Sequence, residues 1–306
     1  MQTVLLTHPD CVRHEMGAGH PESPQRLKAI LAAIEAAGLA GRLDKREAPE
    51  ATREQIERVH EHEQVDFVFD SAPASGYAFL DPDTSMNPSS LSAALRAAGA
   101  LVKAADLVLT GQAKRAFCAV RPPGHHATRH RPMGFCIFNN VAIGAAHAMA
   151  AHGLARVAIL DFDVHHGNGT EDAFHDDPRV MLCSTFQHPY YPYSGADSGN
   201  EHIINVPLPA MTDGRGFRAA VEEHWMPALD RFRPQLVMVS AGFDAHRDDP
   251  LAYLKLDDED YRWVTERLVE VAERHADGRV VSTLEGGYNT EALGRCAVEH
   301  LRVLMG

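Results

Sequence analysis

The residue pattern predicts an α/β protein built around a parallel sheet. Short apolar runs of strand length recur along the chain, and segments of helical length separate several of them. The runs are apolar on both faces. A sheet open to water on one side alternates apolar and polar residues, whereas runs apolar throughout belong to strands covered on both sides by crossover helices.

In chain order the strand-like runs are VLLTH near residue 4, AFCAV near 116, VAILDFDV from 157, VMLCSTF from 180, HIINVPL from 202, LVMVSAGFD from 236 and VVSTLEGGY from 280. Each is bounded by Gly, Pro or charge. Ser23-Pro24 opens a helix whose apolar stripe is Leu27, Ile30, Leu31 and Ile34 and which Gly38 closes. Asn87-Pro88 precedes a second helix, running through Leu91, Leu95 and Leu101. The alanine-rich stretches 91–105 and 142–151 read as tightly packed helices. With no internal repeat or low-complexity linker, the 306 residues are expected to form one domain, 1–306, around one large core.

Composition narrows the partners. The formal charge of -13 and the absence of a basic run argue against a nucleic acid partner. No apolar stretch approaches a membrane span, and the first residues lack an export signal, so a cytoplasmic protein is expected. The five cysteines are widely spaced and never form C-x-x-C, which suggests neither a disulfide framework nor a thiolate metal site. An oligomer is compatible with all of this.

In a parallel sheet, ligands collect at the carboxyl ends of the strands. Polar clusters fall at the ends of the apolar runs: Asp161 to His166, Phe243 to His246, and Glu285 to Tyr288. In an extended chain Asp161, Asp163 and His165 would point to one side, so two carboxylates and an imidazole converge. Oxygen and nitrogen donors without sulfur suit zinc or another first-row divalent ion. Asp244, ending a separate run, is the natural further ligand, and three protein ligands leave a position for water or a substrate carbonyl. An isolated D-x-D-x-H is more often a capped turn, but here four polar residues follow a strongly apolar strand, where burying them without a partner is costly.

A second cluster, Arg121-Pro122-Pro123-Gly124-His125-His126, offers imidazoles that could act as base and acid near neutral pH. A histidine pair is weak evidence among nineteen histidines; the rigid approach and the following Met133-Gly134-Phe135-Cys136 strengthen it by suggesting a cleft wall. A third cluster, Glu285-Gly286-Gly287-Tyr288-Asn289, reads alone as a turn, but beside the others it presents the Tyr288 hydroxyl as an oxyanion donor.

Taken together, RPPGHH (121–126), GFCIFNN (134–140), DFDVHHGNGT (161–170), SAGFDAHRDDPL (240–251) and EGGYN (285–289) resemble the histone deacetylase and acetylpolyamine amidohydrolase superfamily. HPESPQRL at 20–27 and DPDTSMNPSS at 81–90 extend the resemblance over almost the whole chain. Asn168 and the Asn after Tyr288 look like the class II branch. The resemblance implies an arginase-like, three-layer α/β/α fold with a central, mostly parallel eight-stranded sheet. It implies zinc on Asp163, His165 and Asp244, and Tyr288 polarising the substrate carbonyl. His126 would be general base and then acid, oriented by Asn168, with His125 paired to Asp161. Gly134, Phe135 and Tyr191, the last in place of a more usual phenylalanine, would line the substrate channel with Leu251. Structural potassium is implied at Asp161, the carbonyls of Asp163, His165 and Thr185, and the Ser184 hydroxyl, with a second site around Phe174 and Val180.

The function so implied is zinc-dependent hydrolysis of an N-acyl amide. Leu251, following Asp249-Pro250, favours an acyl-lysine substrate, while Asp248 and Asp249 keep an acetylpolyamine open as the alternative. A non-catalytic acyl-binding module would suit a chain lacking a ligand or Tyr288, and none is missing. A two-manganese ureohydrolase would need further carboxylates that the His166-Gly167-Asn168 continuation lacks.

Overall fold

The computed structural model describes residues 2–306. Ten strands form: β1 (Val4–Thr7), β2 (Asp44–Glu47), β3 (Ala78–Asp81), β4 (Thr84–Met86), β5 (Arg115–Cys118), β6 (Val157–Asp161), β7 (Val180–Gln187), β8 (Ile203–Leu208), β9 (Leu236–Ala241) and β10 (Val280–Leu284). Eight of them build one sheet in the order β2-β1-β5-β10-β9-β6-β7-β8, and every pairing in it is parallel. β3 and β4 make a separate antiparallel hairpin.

All seven apolar runs become strands of the sheet. Strands β5, β6, β7, β9 and β10 are buried at every residue, as expected when helices cover both faces. The eighth strand, β2, has the sequence DKRE and contains no apolar residue, so a search for apolar runs passes over it. It lies at the edge, pairs only with β1 and exposes Lys45 and Glu47. Charge on an edge strand discourages pairing with another chain.

The helix Pro24–Ala36 starts after Ser23 and buries Leu27, Ile30 and Ile34, with Leu31 at the rim and Gly38 in the left-handed region at φ 69°. The helix after Asn87-Pro88 spans Ser90–Leu109, but its leucine stripe is not its buried face. Leu101 is buried, whereas Leu91 and Leu95 are half-buried; the packed face is Ala93, Ala94, Ala97, Ala98, Gly99 and Ala100. At Gly99 the backbone of Pro49 comes so close that a Cβ would meet its carbonyl oxygen at 2.0 Å, so this contact favours small residues over leucines. One cluster of buried side chains runs from Val4 to Leu304.

Because the strands are parallel, the segments leaving β5, β6, β9 and β10 emerge on one edge. These four are neighbours at the centre of the sheet, and in the register Asp161 stands level with Ser240 of β9 and Ser184 of β7.

Candidate active site

Strand β6 ends at Asp161, and the chain then turns instead of continuing extended. Asp161 Oδ1 accepts the Asp163 N–H at 3.1 Å, and Asp163 Oδ1 accepts the His165 N–H at 2.9 Å. Two successive turns closed by carboxylates replace the strand pattern. The expectation that Asp161, Asp163 and His165 converge is therefore corrected. Asp161 Oδ2 faces His125 Nδ1 at 2.9 Å, while Asp163 and His165 meet Asp244 from the end of β9.

In this trio His165 Nδ1 lies 3.1 Å from Asp163 Oδ1 and 3.2 Å from Asp244 Oδ2. The remaining carboxylate oxygens are held by backbone: Gly286 N–H donates to Asp163 Oδ2 at 2.8 Å, and Val164 N–H to Asp244 Oδ1 at 2.9 Å. A Cβ at Gly286 would lie 2.0 Å from Asp244 Oδ2, so only glycine lets the β10 loop close over the carboxylates. Asp244 Oδ2 is buried and has no hydrogen-bond partner. Burial works against charge on His165, but Asp163 and Asp244 outweigh it and hold the imidazole up at about 10. The three groups are arranged around one positive charge, and their oxygen and nitrogen donors fit a divalent ion such as zinc.

Two other clusters of potential ligands are closed networks. Arg58 Nη1 can only donate, and it donates to His147 Nδ1 at 2.9 Å, so His147 presents Nε2–H to Asp106. The Asp248 N–H likewise donates to His246 Nδ1 at 3.1 Å and turns Nε2–H toward Asp258. In each, the His147 or His246 nitrogen that faces the carboxylate carries a proton and has no lone pair for an ion.

His125 and His126 follow β5, and their environments separate them. Burial opposes charge on His125, but Asp161 and Asp163 hold its pKa well above the usual value. His126 is driven well below it by burial and by the neighbouring His125 and His165. His126 Nδ1 lies 2.8 Å from Asn168 Oδ1, whose amide nitrogen points to the His126 carbonyl and Met133 Sδ. His126 is thus the neutral imidazole of the pair, with its proton on Nδ1.

A cavity of about 290 Å³ opens beside His126 and His165, and Tyr288, Phe135, Gly134, Tyr191 and Leu251 line it. Gly134 packs flat on the His126 ring, where a Cβ would come within 2.6 Å, and it takes a φ of 58°. The Tyr191 ring meets His126 edge-on at 5.2 Å.

The sequence matches the Histone deacetylase domain family over residues 20–304. The chain belongs to the histone deacetylase family. A histone deacetylase-like amidohydrolase from Pseudomonas aeruginosa is 38% identical over 302 residues, covering 96% of this chain and 79% of that protein. An uncharacterized Synechocystis protein is 41% identical, covering 98% and 99%, and a probable deacetylase of Archaeoglobus fulgidus is 36% identical, covering 95% and 82%. The crystal structure of an HDA15 HD domain superposes with a TM-score of 0.93 at 35% identity, over 100% of this chain and 88% of that one. The arginase-like α/β fold of deacetylases is therefore the fold of this chain.

At the positions where the deacetylase resemblance places potassium, Asp161 and Ser184 are paired in register and fully buried, and Ser184 Oγ has no hydrogen-bond partner. Thr185 is buried beside it in β7. Around the second position, the Phe174 carbonyl already accepts the Asp177 N–H at 3.0 Å.

Several residues around the candidate site have no role assigned from the sequence, although some of them lie within its motifs. Asp83, Tyr190 and Tyr193 also line the cavity. Glu285, in the motif but without an assigned task, accepts the Gly124 N–H at 2.7 Å, the His125 N–H at 3.2 Å and the Ser240 hydroxyl at 3.1 Å. Arg26, within HPESPQRL, is buried beneath the β10 loop, donating to the carbonyls of Gly287 and Glu285 and stacking on the Tyr288 ring at 4.8 Å. No helix among the described residues is long and apolar enough to cross a membrane.

Proposed function

We propose that this histone deacetylase family member is a zinc-dependent hydrolase of N-acyl amides, acting on acyl-lysine, and that residues 1–306 are one deacetylase domain. The observation that carries the reading is the juxtaposition of the Asp163, His165 and Asp244 donors with a neutral His126 at the base of a narrow cavity. Metal dependence is general in the family. A divalent ion held by those three side chains would polarise an amide carbonyl and acidify a water beside it.

The chain's own groups supply the rest. His126 takes the proton of the attacking water at Nε2, and Asn168 holds the ring in that tautomer. Tyr288 donates its hydroxyl to the carbonyl oxygen as negative charge develops there, a contact worth roughly 2.7–4 kcal/mol by analogy with other oxyanion donors. His126 then returns its proton to the departing amine. His125, kept cationic between Asp161 and Asp163, adds positive charge beside the reacting centre. Phe135, Tyr191 and Leu251 enclose the aliphatic stem of the substrate and exclude water. Buried Ser184 and Asp161 would hold a structural potassium ion.

Acetylpolyamines are the second reading, and the Asp83 carboxylate on the cavity wall favours it. Turnover of an acetyl-lysine peptide and of acetylspermidine by zinc-loaded protein tests both. Faster hydrolysis of the peptide is expected; a preference for acetylspermidine would replace the first reading by the second, and no hydrolysis of either would end both.

A further inference from the structure

Asp249 follows the candidate ligand Asp244 by five residues and, as part of a pair with Asp248, is a natural candidate for meeting a cationic substrate at the tunnel mouth. Its carboxylate points elsewhere. Asp249 is buried, and both of its oxygens are taken by backbone N–H groups of two different loops. Oδ2 accepts the Tyr288 N–H at 2.7 Å and the Asn289 N–H at 3.2 Å, and Oδ1 accepts the Leu251 N–H at 3.0 Å. The Tyr190 hydroxyl in turn donates to the Leu251 carbonyl at 2.8 Å. One carboxylate therefore ties together loops that present three walls of the cavity: Tyr288, Leu251 and Tyr190.

The β10 loop needs such a tie. Gly286 and Gly287 have no side chains to hold their backbone, and Gly287 sits at φ 119°. The loop is pinned up to Gly287, through Gly286 N–H to Asp163 and through Arg26 to the Gly287 carbonyl. Past that point, Asp249 takes the N–H of Tyr288 itself and of Asn289, where the chain enters the helix Thr290–Met305.

We propose that Asp249 is a positioning residue that sets the Tyr288 hydroxyl over the reacting carbonyl and fixes the Leu251 wall relative to it. The inference rests on the deacylase reading above. An amide cannot replace the carboxylate: Asn has one accepting oxygen, so either the Tyr288 and Asn289 N–H groups or the Leu251 N–H would face an NH₂ donor.

The experiment is a double-mutant cycle on zinc-loaded full-length protein with an acetyl-lysine peptide, comparing parent, Asp249→Asn, Tyr288→Phe and the double variant. Alone, Asp249→Asn is expected to lower kcat about 10- to 100-fold, the scale of a misplaced catalytic group, with KM within about threefold. In the Tyr288→Phe background the same substitution should cost less than about threefold, because there is no hydroxyl left to misplace. Equal losses in both backgrounds, or a loss confined to KM, overturn the proposal and leave Asp249 a structural residue. If Asp249→Asn melts below the assay temperature, Asp249→Glu, which keeps the two carboxyl oxygens and displaces them by one methylene, is carried through the same cycle with the same criteria. A parent enzyme that hydrolyses no acylated amine overturns the functional reading, and this one with it; that failure shows in the parent, not in the variants.

Discussion

His126 Nδ1 lies 2.8 Å from the side-chain oxygen of Asn168, and that contact fixes where the imidazole can act. An amide oxygen only accepts, so the ring proton stays on Nδ1 and the lone pair on Nε2. An uncharged partner also adds nothing to favour the imidazolium, so burial and the neighbouring histidines keep His126 neutral.

Replacing that partner by a carboxylate reverses the balance. Asn168→Asp places a negative charge at hydrogen-bonding distance in a buried setting, which raises an imidazole pKa, typically by about 1–3 units. The base form of His126 is then lost at a higher pH. The acid limb of kcat/KM against pH should move to higher pH, and activity at pH 7 should fall while activity at pH 9 changes less. An unmoved acid limb would show that His126 is not the group that limb reports.

The metal makes a separate prediction. Asp163→Ala and Asp244→Ala each remove one donor from the trio and should abolish hydrolysis together with stoichiometric zinc, measured by elemental analysis. In the parent protein, Asp163 and Asp244 are buried side by side at the position the ion would take. Because an ion binds only the folded chain tightly, zinc at a hundred times its Kd should stabilise the fold by about 2.7 kcal/mol. A thermal midpoint that does not respond to zinc in the stripped protein would remove this assignment.

Tyr288→Phe isolates the hydroxyl. The ring remains over Arg26 and edge-on to Phe135 at 5.9 Å, so packing is retained and only the donor is lost. A kcat lower by roughly 10²- to 10³-fold is expected, with KM little changed, since the contact strengthens as the oxyanion forms. A change confined to KM would mean that Tyr288 only binds substrate.

What can be read from the residues alone follows physical lines. The central strands are legible because burial on both faces demands apolar runs. The candidate ligand trio Asp163, His165 and Asp244, which the fold brings together, can be picked out because carboxylates at the ends of such runs are costly to bury unless a cation meets them. Strand β2 is not legible, because an edge strand tolerates, and benefits from, the charges of DKRE. Asp161 does not join Asp163, although a two-residue spacing in extended backbone would bring them together. The N–H groups of Asp163 and His165 instead bind the preceding carboxylates and curl the chain. The supporting residues are the least legible. Glu285 and Asp249 serve backbone N–H groups on distant segments of the chain, and a backbone N–H leaves no mark on the residue that carries it.

A last prediction concerns stability. His300 is buried on the helix Thr290–Met305, between the hydroxyls of Thr265 at 2.7 Å and Ser282 at 2.8 Å, and burial pushes its pKa down to about 3. His60 is likewise pushed down to about 4, and His14 is lowered by burial. Each gives up its proton in the fold at a pH at which the unfolded chain, titrating near 6.5, still holds it. The unfolded state then binds more protons, so stability falls as pH falls, and for His300 the loss continues down to about pH 3. Asp249 and Glu285, whose pKa burial raises to about 7, act in the opposite sense, because the fold holds protons there that the unfolded chain releases, so the contribution of His300 is read as the difference between parent and variant. His300→Gln removes one buried histidine and can still bridge both hydroxyls. Its unfolding free energy, from urea denaturation at pH 6.0, 5.5 and 5.0, should decline less steeply than the parent's by about 1.4 kcal/mol per pH unit. Parallel slopes would mean that His300 takes up its proton within the folded protein.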